Sequence, residues 1–302
     1  MAERISTYAN SQSLARELMR LQTDYAKGTA QSSSGLKSDN YQGIANTTQR
    51  LLNLESDYSR ITGQSESAQI ALDRINSMYS SIQTLMDIAT SMKNTLSGAM
   101  SGSGLDSASL QIQAQEMMSE SASIMNTQQA GRYLFGGGIT DTAPVDISDT
   151  DYATASAPST ADTNYYQGDD YKAKVHAADG VSITYGITAD NEAFESLLRA
   201  FNLVVTNPSD ETALEEAYNL FSQSFDSLNV LQTVASNQAS LLNTQIDRNA
   251  DELNLLDNMI EDIKNVDLAD VTVKLTQIET QLEASYALTS KLLNLKLSDY
   301  LA

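Results

Sequence analysis

Cysteine and tryptophan are absent from the 302 residues, proline occurs three times and histidine once. Without cysteine there is no disulfide framework, no thiolate nucleophile and no cysteine-ligated zinc. A Ser-His-Asp triad or a multi-histidine metal site would have to be built around the one histidine, His176. Positive charge is also scarce: 18 Lys and Arg stand against 39 Asp and Glu, a formal net charge of -21. Such a surface repels phosphate backbones and anionic lipid, so nucleic acid is not an expected partner. No run of about 18 apolar residues occurs, which argues against membrane insertion. Residues 1–10 lack the apolar stretch of a cleaved secretory signal, so export would need another route.

What remains is 41% apolar residues, enough to bury a core, with abundant Ala, Ser, Thr, Asn, Gln and Leu. That mixture favours long helices with small side chains at their contacts. Leu14, Leu18, Leu21 and Tyr25 step by four, three and four along one helix face, and a looped connection is expected over residues 27–43, which hold Gly28, Gly35 and Gly43. A second helix is predicted from near Ile44 to about Ser97, on Leu51, Leu54, Tyr58, Ile61, Leu72, Ile75, Tyr79, Ile82, Leu85, Ala89, Met92 and Leu96. At 1.5 Å per residue it spans about 80 Å, and Gly63 marks a candidate bend. After a turn over residues 98–104, a third helix carries Leu110, Ala114, Met117, Ser121 and Ile124 up to Gln129.

Composition changes at Gly131, where Gly136, Gly137 and Gly138 lead into a stretch rich in Asp, Thr, Tyr and Ala. The period becomes two. Tyr171, Ala173, Val175 and Ala177, then Val181, Ile183, Tyr185 and Ile187, alternate with polar neighbours about an Asp179-Gly180 turn, the pattern of a β-hairpin. Helix resumes on Phe194, Leu197, Leu198, Phe201 and Val205 before Pro208. With Ser209 or Thr212 as its N-cap, a second very long helix runs through Leu214, Phe221, Leu228, Leu242, Leu256 and Ile263. A terminal helix follows on Leu268, Val271, Leu275, Ile278, Leu282, Tyr286, Leu293 and Leu297.

The expected fold is mainly α with a β-rich insertion. A long antiparallel helical bundle or coiled coil carries a small outer β domain, and the N- and C-terminal helices pair at one pole. The predicted divisions are residues 1–43 with 266–302 as a terminal assembly domain, 44–130 with 191–265 as a long-helix core, and 131–190 as the outer domain. Two end helices alone bury too little surface to be secure in water. Their stripes, Ile5, Leu14, Leu18, Leu21, Tyr25, Leu268, Val271, Leu275, Ile278, Leu282, Tyr286, Leu293 and Leu297, are therefore candidates for a subunit interface. Intramolecular completion of a bundle is the competing use.

No catalytic residue, cofactor site or metal site is expected. An exposed strand position accounts for His176. Asp146, Asp149, Asp151, Asp169 and Asp170 do not follow the spacing of a calcium loop, and a solvated acidic face accounts for them. Gly136, Gly137 and Gly138 lack the Lys-Ser/Thr of a P-loop and the dinucleotide spacing, which leaves them, with Gly131, as a hinge to the outer domain. Tyr152, Tyr165, Tyr166 and Tyr171 have a glycan-binding reading and a simpler one, packing across a sheet.

Several segments resemble the flagellin superfamily, and most closely the hook-associated protein 3 family of hook-filament junction proteins. Arg4-Ile5-Ser6-Thr7 is similar to that family's start, and Ser33-Ser34-Gly35 to the connection after its first helix. Gly131-Arg132-Tyr133-Leu134-Phe135-Gly136-Gly137, with Thr142-Ala143-Pro144-Val145 beyond it, resembles the step into the outer domain, and Tyr166-Gln167-Gly168-Asp169 the element that follows. Val266-Asp267-Leu268-Ala269-Asp270, Leu282-Glu283-Ala284-Ser285-Tyr286 and Leu297-Ser298-Asp299-Tyr300-Leu301 resemble the terminal helix. One departure is Ser38-Asp39-Asn40-Tyr41-Gln42-Gly43, where the family has Ser-Asp-Asp-Pro; the Phe-Asn-Gly step usual in flagellin is missing.

The resemblance implies a non-enzymatic flagellar adaptor, extracellular and exported through the flagellar type III apparatus without a cleaved signal. It implies as partners further copies of the chain, hook-associated protein 1, flagellin, and a cytoplasmic chaperone on the C-terminal helix. Flagellin itself is the alternative within the superfamily. A surface-exposed calcium- or glycan-binding module on a helical stalk is the alternative of another class.

Overall fold

The computed structural model describes residues 2–102 and 104–294, without the side chains of residues 2–8, 10, 11 and 292–294. In chain order the elements are α1 (Ala2–Ser34), a 3-10 turn (Tyr41–Ile44), α2 (Thr48–Met100), α3 (Ser107–Met125), β1 (Gln128–Gln129), β2 (Arg132–Tyr133), β3 (Ala173–Ala178), β4 (Val181–Tyr185), α4 (Glu192–Thr206), α5 (Glu211–Lys264) and α6 (Leu268–Asn294). The chain is mainly helical, with long packed helices and two small two-stranded sheets, as the apolar periodicity implies. At 53 and 54 residues, α2 and α5 each run about 80 Å.

Several boundaries differ from the sequence expectation. Helix α1 does not stop near Lys27 but continues to Ser34, because Gly28 is absorbed into a helix-helix contact. Residues 41–44 form the 3-10 turn, with the Asn40 side chain accepting from Gly43 N, so α2 begins at Thr48. The α2 helix is continuous through Gly63. Helix α3, capped by Asp106 on Ser109 N, ends at Met125, and Gln128–Gln129 turns back to pair with Arg132–Tyr133. Ala130 and Gly131, both at positive φ, form the two-residue turn between these strands. Asp210, rather than Ser209 or Thr212, opens α5: its carboxylate accepts from Thr212 N and its carbonyl from Leu214 N.

Two compact units emerge, one of Met1–Ser59 with Leu253–Ala302, the other Arg60–Glu252. The core of the second is built around α4, whose Phe194, Leu197, Leu198, Phe201, Leu203 and Val204 are fully buried. Phe194 meets Phe135 and Phe201 meets Phe221 edge to face, at 5.5 and 4.8 Å. The α2 stripe from Ala68 to Leu96 and the α3 stripe of Leu110, Ala114, Met118 and Met125 join the same core.

The β3-β4 hairpin turns at Asp179-Gly180, with Gly180 at φ +73°, and Val175, Ala177 and Tyr185 point into the core. Between Tyr133 and Ala173 the chain has little regular pairing, and asparagine amides supply its missing partners. Asn126 bonds both Val145 N and Val145 O, Asn202 bonds Ala155 N and Ala153 O, and Asn207 bonds Ala155 O.

Candidate assembly interface

The terminal stripes meet each other. Helix α1 pairs with α6 in antiparallel fashion: Gln22 Nε2 donates to Tyr286 OH at 2.8 Å, Tyr25 OH to Glu279 Oε1 at 3.0 Å, and Gly28 lies against Leu275. Partners rise along one helix as they fall along the other. The Glu279 carboxylate raises the Tyr25 phenol pKa, because the hydrogen bond and the adjacent negative charge both favour the protonated form. At the end of the pair the two connections are stitched together. Gly35, at φ +73°, ends α1, Lys37 N donates to Lys264 O at 2.7 Å, and Val266 N donates to Gly35 O at 2.9 Å. Lys37 Nζ reaches Asp262 O, and Lys264 Nζ stands 3.2 Å from Glu55 Oε1. Asp267 caps α6, accepting from Ala269 N and Asp270 N.

Of the stripe residues, Leu21, Val271 and Leu282 are buried, while Leu14, Leu18, Tyr25, Leu275 and Ile278 are half-buried and Leu268 and Tyr286 exposed. The side chains of Ile5 and Leu293, and Leu297 altogether, lie outside the described residues. A groove of about 520 Å³ runs along one flank of the pair. Its floor is Leu21, Gly28, Val271, Leu275 and Ile278, and its rim carries Arg20, Asp24, Lys27, Asp270 and Lys274.

A second surface escapes the stripe reading. Val273, Thr280, Ala284 and Leu288, with Gln277 at the edge shared with the groove, lie along one side of α6, all exposed and all uncharged, with Val273 67% and Leu288 56% exposed. On α1, Ala15, Met19, Ala26 and Ala30 likewise form an exposed face without charge, and Met19 is 67% exposed. The signal that would have found these faces is the absence of charge, since Arg16, Glu17, Arg20, Asp24 and Lys27 all occupy another side of α1.

The other singled-out residues serve local structure. His176 is exposed on the hairpin, its Nδ1 2.7 Å from Ser182 Oγ. Asp146 and Asp149 accept from Ser148 N and Asp151 N, and Asp169 Oδ1 accepts from Gly138 N and Tyr171 N. Asp151 and Asp170 are exposed. Gly136 and Gly137 leave no room for a Cβ: at Gly136 it would collide with the Ile139 carbonyl, at Gly137 with Asp169. Close packing requires glycine at Gly136 and Gly137, and Gly131 turns β1 into β2.

Tyr165 is buried, its hydroxyl donating to Ala189 O, and Tyr152 packs edge to face on it at 5.4 Å. Both stand in irregular chain rather than in strands. Burial pushes the Tyr152 phenol up to about 12 and that of Tyr165 further. Tyr166 OH donates to Asp169 O, and Tyr171 is exposed just ahead of β3. Among the described residues no group of three or more His, Cys, Asp or Glu is placed to hold a metal ion, and no helix is long and apolar enough to cross a membrane.

No family model matches the chain, and no curated protein sequence does. Solved structures do. A Vibrio parahaemolyticus protein described as a flagellar hook-associated protein superposes with a TM-score of 0.62 at 17% identity, covering 75% of this chain and 99% of its own. FlgL of Bacillus cereus does so with a TM-score of 0.56 at 13% identity, covering 70% and 99%. The long helices, the small β region and the paired terminal helices give this chain the fold of the flagellar hook-associated proteins.

Proposed function

We propose that this chain is a structural component of the bacterial flagellum, an adaptor that joins hook to filament by packing its helices against other subunits and catalyses no reaction. The observation that carries this reading is the α1/α6 pair. It closes one face on itself, yet keeps a groove with an apolar floor and a second uncharged face on each helix. Neighbouring helices of identical or related subunits are the natural cover for such surfaces. The likeness to flagellar hook-associated proteins supports the same reading.

On this proposal the stripe from Leu14 to Tyr25 and from Leu268 to Tyr286 contributes to the subunit interface together with the uncharged faces. Residues 1–43 and 266–302 act as the assembly domain, 44–130 and 191–265 as the core, and 131–190 as the outer part entered through Gly131 and Gly136–Gly138. Copies of the chain form a ring, with hook-associated protein 1 and flagellin as neighbours. A cytoplasmic chaperone covers the C-terminal helix before export, and the working location is outside the cell, reached without a cleaved signal.

The test is genetic and biochemical. A strain lacking the chain is expected to keep its hooks and shed flagellin into the medium, and the purified chain is expected to assemble only onto hook-associated protein 1. Elongation of the purified chain into filaments by itself would make it flagellin instead. Saturable heat on titrating the whole chain with calcium or a neutral glycan, with no effect of deletion on filament retention, would favour a binding module.

A further inference from the structure

The unit Arg60–Glu252 holds a small pocket of about 140 Å³, lined in part by Arg74 of α2, Arg132 and Tyr133 of β2, Thr140, and Tyr171 and Tyr185 beside and within the hairpin. Two of the chain's 18 basic residues line this one cavity, although acidic residues number 39, and no Asp or Glu lines it. Both arginines have neutral partners. Arg74 Nη1 donates to Tyr185 OH at 3.2 Å and Arg132 Nε to Thr140 Oγ1 at 3.3 Å. Neither makes an ion pair among the described residues, whereas Arg60 is held by Asp179 at 2.6 Å and Arg199 by Glu195 at 3.1 Å in the same unit. Asp169, which does not itself line the pocket, has its Oδ1 held by Gly138 N at 2.6 Å and Tyr171 N at 3.1 Å.

A guanidinium offers five N–H donors in a planar fork and accepts nothing, so two of them at one cavity leave donors that water holds in the free protein and that a ligand acceptor can take over. A carboxylate matches that fork best. Tyr171, 59% exposed, offers a ring face against which the body of a ligand can lie, and the volume suits a molecule of few heavy atoms. The geometry points to a binding subsite for a small organic carboxylate, a sugar acid or a dicarboxylate, with its carboxylate between Arg74 and Arg132 and its body against Tyr171. This goes beyond the assembly reading and does not depend on it, since none of these residues belongs to α1 or α6.

Calorimetric titration of the full chain with sodium glucuronate, sodium glutarate and glucose tests it. Saturable binding of at least one of the two carboxylates is expected, with none of glucose. Equal affinity for glucuronate and glutarate assigns recognition to the carboxylate alone, and binding of glucuronate only adds recognition of the sugar ring. Arg132→Gln, at an exposed position, is expected to weaken binding about tenfold with an unchanged melting curve, and Arg74→Gln combined with it to abolish binding. Absence of binding by both carboxylates overturns the inference, as does wild-type affinity in Arg132→Gln or glucose bound as tightly as glucuronate. Assembly of the variants is expected to match wild type, so its failure would bear on the flagellar reading alone.

Discussion

Gly28 of α1 lies so close to Leu275 of α6 that a Cβ added to it would stand 2.9 Å from Leu275 Cδ2. This close approach explains why a glycine sits inside a helix that it would otherwise weaken by about 1 kcal/mol relative to alanine. It also sets two opposed expectations. Gly28→Ala gains helix propensity while the flexible end of Leu275 gives way, and the melting temperature of the helical signal is expected to change little. Gly28→Leu has no such escape and is expected to splay the pair, lowering helicity and abolishing assembly while the unit Arg60–Glu252 melts as before.

The uncharged face of α6 gives a second prediction. Val273→Glu and Leu288→Glu each place a charge on a helix surface that is already exposed, so monomer stability is expected to change by less than about 0.5 kcal/mol. Assembly is expected to fail, because a carboxylate buried at a subunit contact without a partner costs several kcal/mol. Sedimentation of mixtures with hook-associated protein 1, the proposed neighbour, reads this out. Normal assembly of both variants would remove the face from the interface.

Glycines at positive φ separate backbone strain from packing. Gly180 at φ +73° has open space where a Cβ would go, so Gly180→Ala is expected to cost only the left-handed strain, about 1 kcal/mol. Gly137 at φ +71° is pressed against Asp169, so Gly137→Ala is expected to cost more than about 2 kcal/mol. Urea midpoints of the two variants decide the order.

Glu195 predicts a pH signature. It is buried, and desolvation raises its carboxyl pKa despite hydrogen bonds from Asp162 N and the nearby Arg199. A folded pKa above the unfolded value of about 4.3 means the folded state holds the proton more tightly. That contribution is complete below the unfolded pKa and is lost as pH rises through the folded one. Glu195→Gln removes it. The stability of wild type relative to this variant is expected to fall as pH rises from about 4, measured by urea unfolding, and a difference independent of pH would contradict the assignment.

Much of the fold was legible because it is written in period. The three- and four-residue steps of Leu72, Ile75, Ile82, Leu85 and Met92 place α2, and the alternation about Asp179-Gly180 places the hairpin. Punctuation was less reliable. Gly28 reads as a break until its partner Leu275 is known, and Gly63 has nothing near it to require a bend. The irregular stretch before β3 was legible only as a change of composition, because Asn126, Asn202 and Asn207 hold it from positions far away in sequence. The terminal stripe was visible from Leu14 to Tyr25, but the uncharged faces carry too few large apolar residues to register as a period.

Hydrogen exchange on a dilute monomer tests most directly the claim that the terminal pair is completed by other subunits. Backbone amides of α1 and α6 are predicted to exchange far faster than those of α2 and α4, and to become protected on assembly with the proposed neighbour, hook-associated protein 1. Protection of α1 and α6 in the dilute monomer equal to that of α4 would contradict the account.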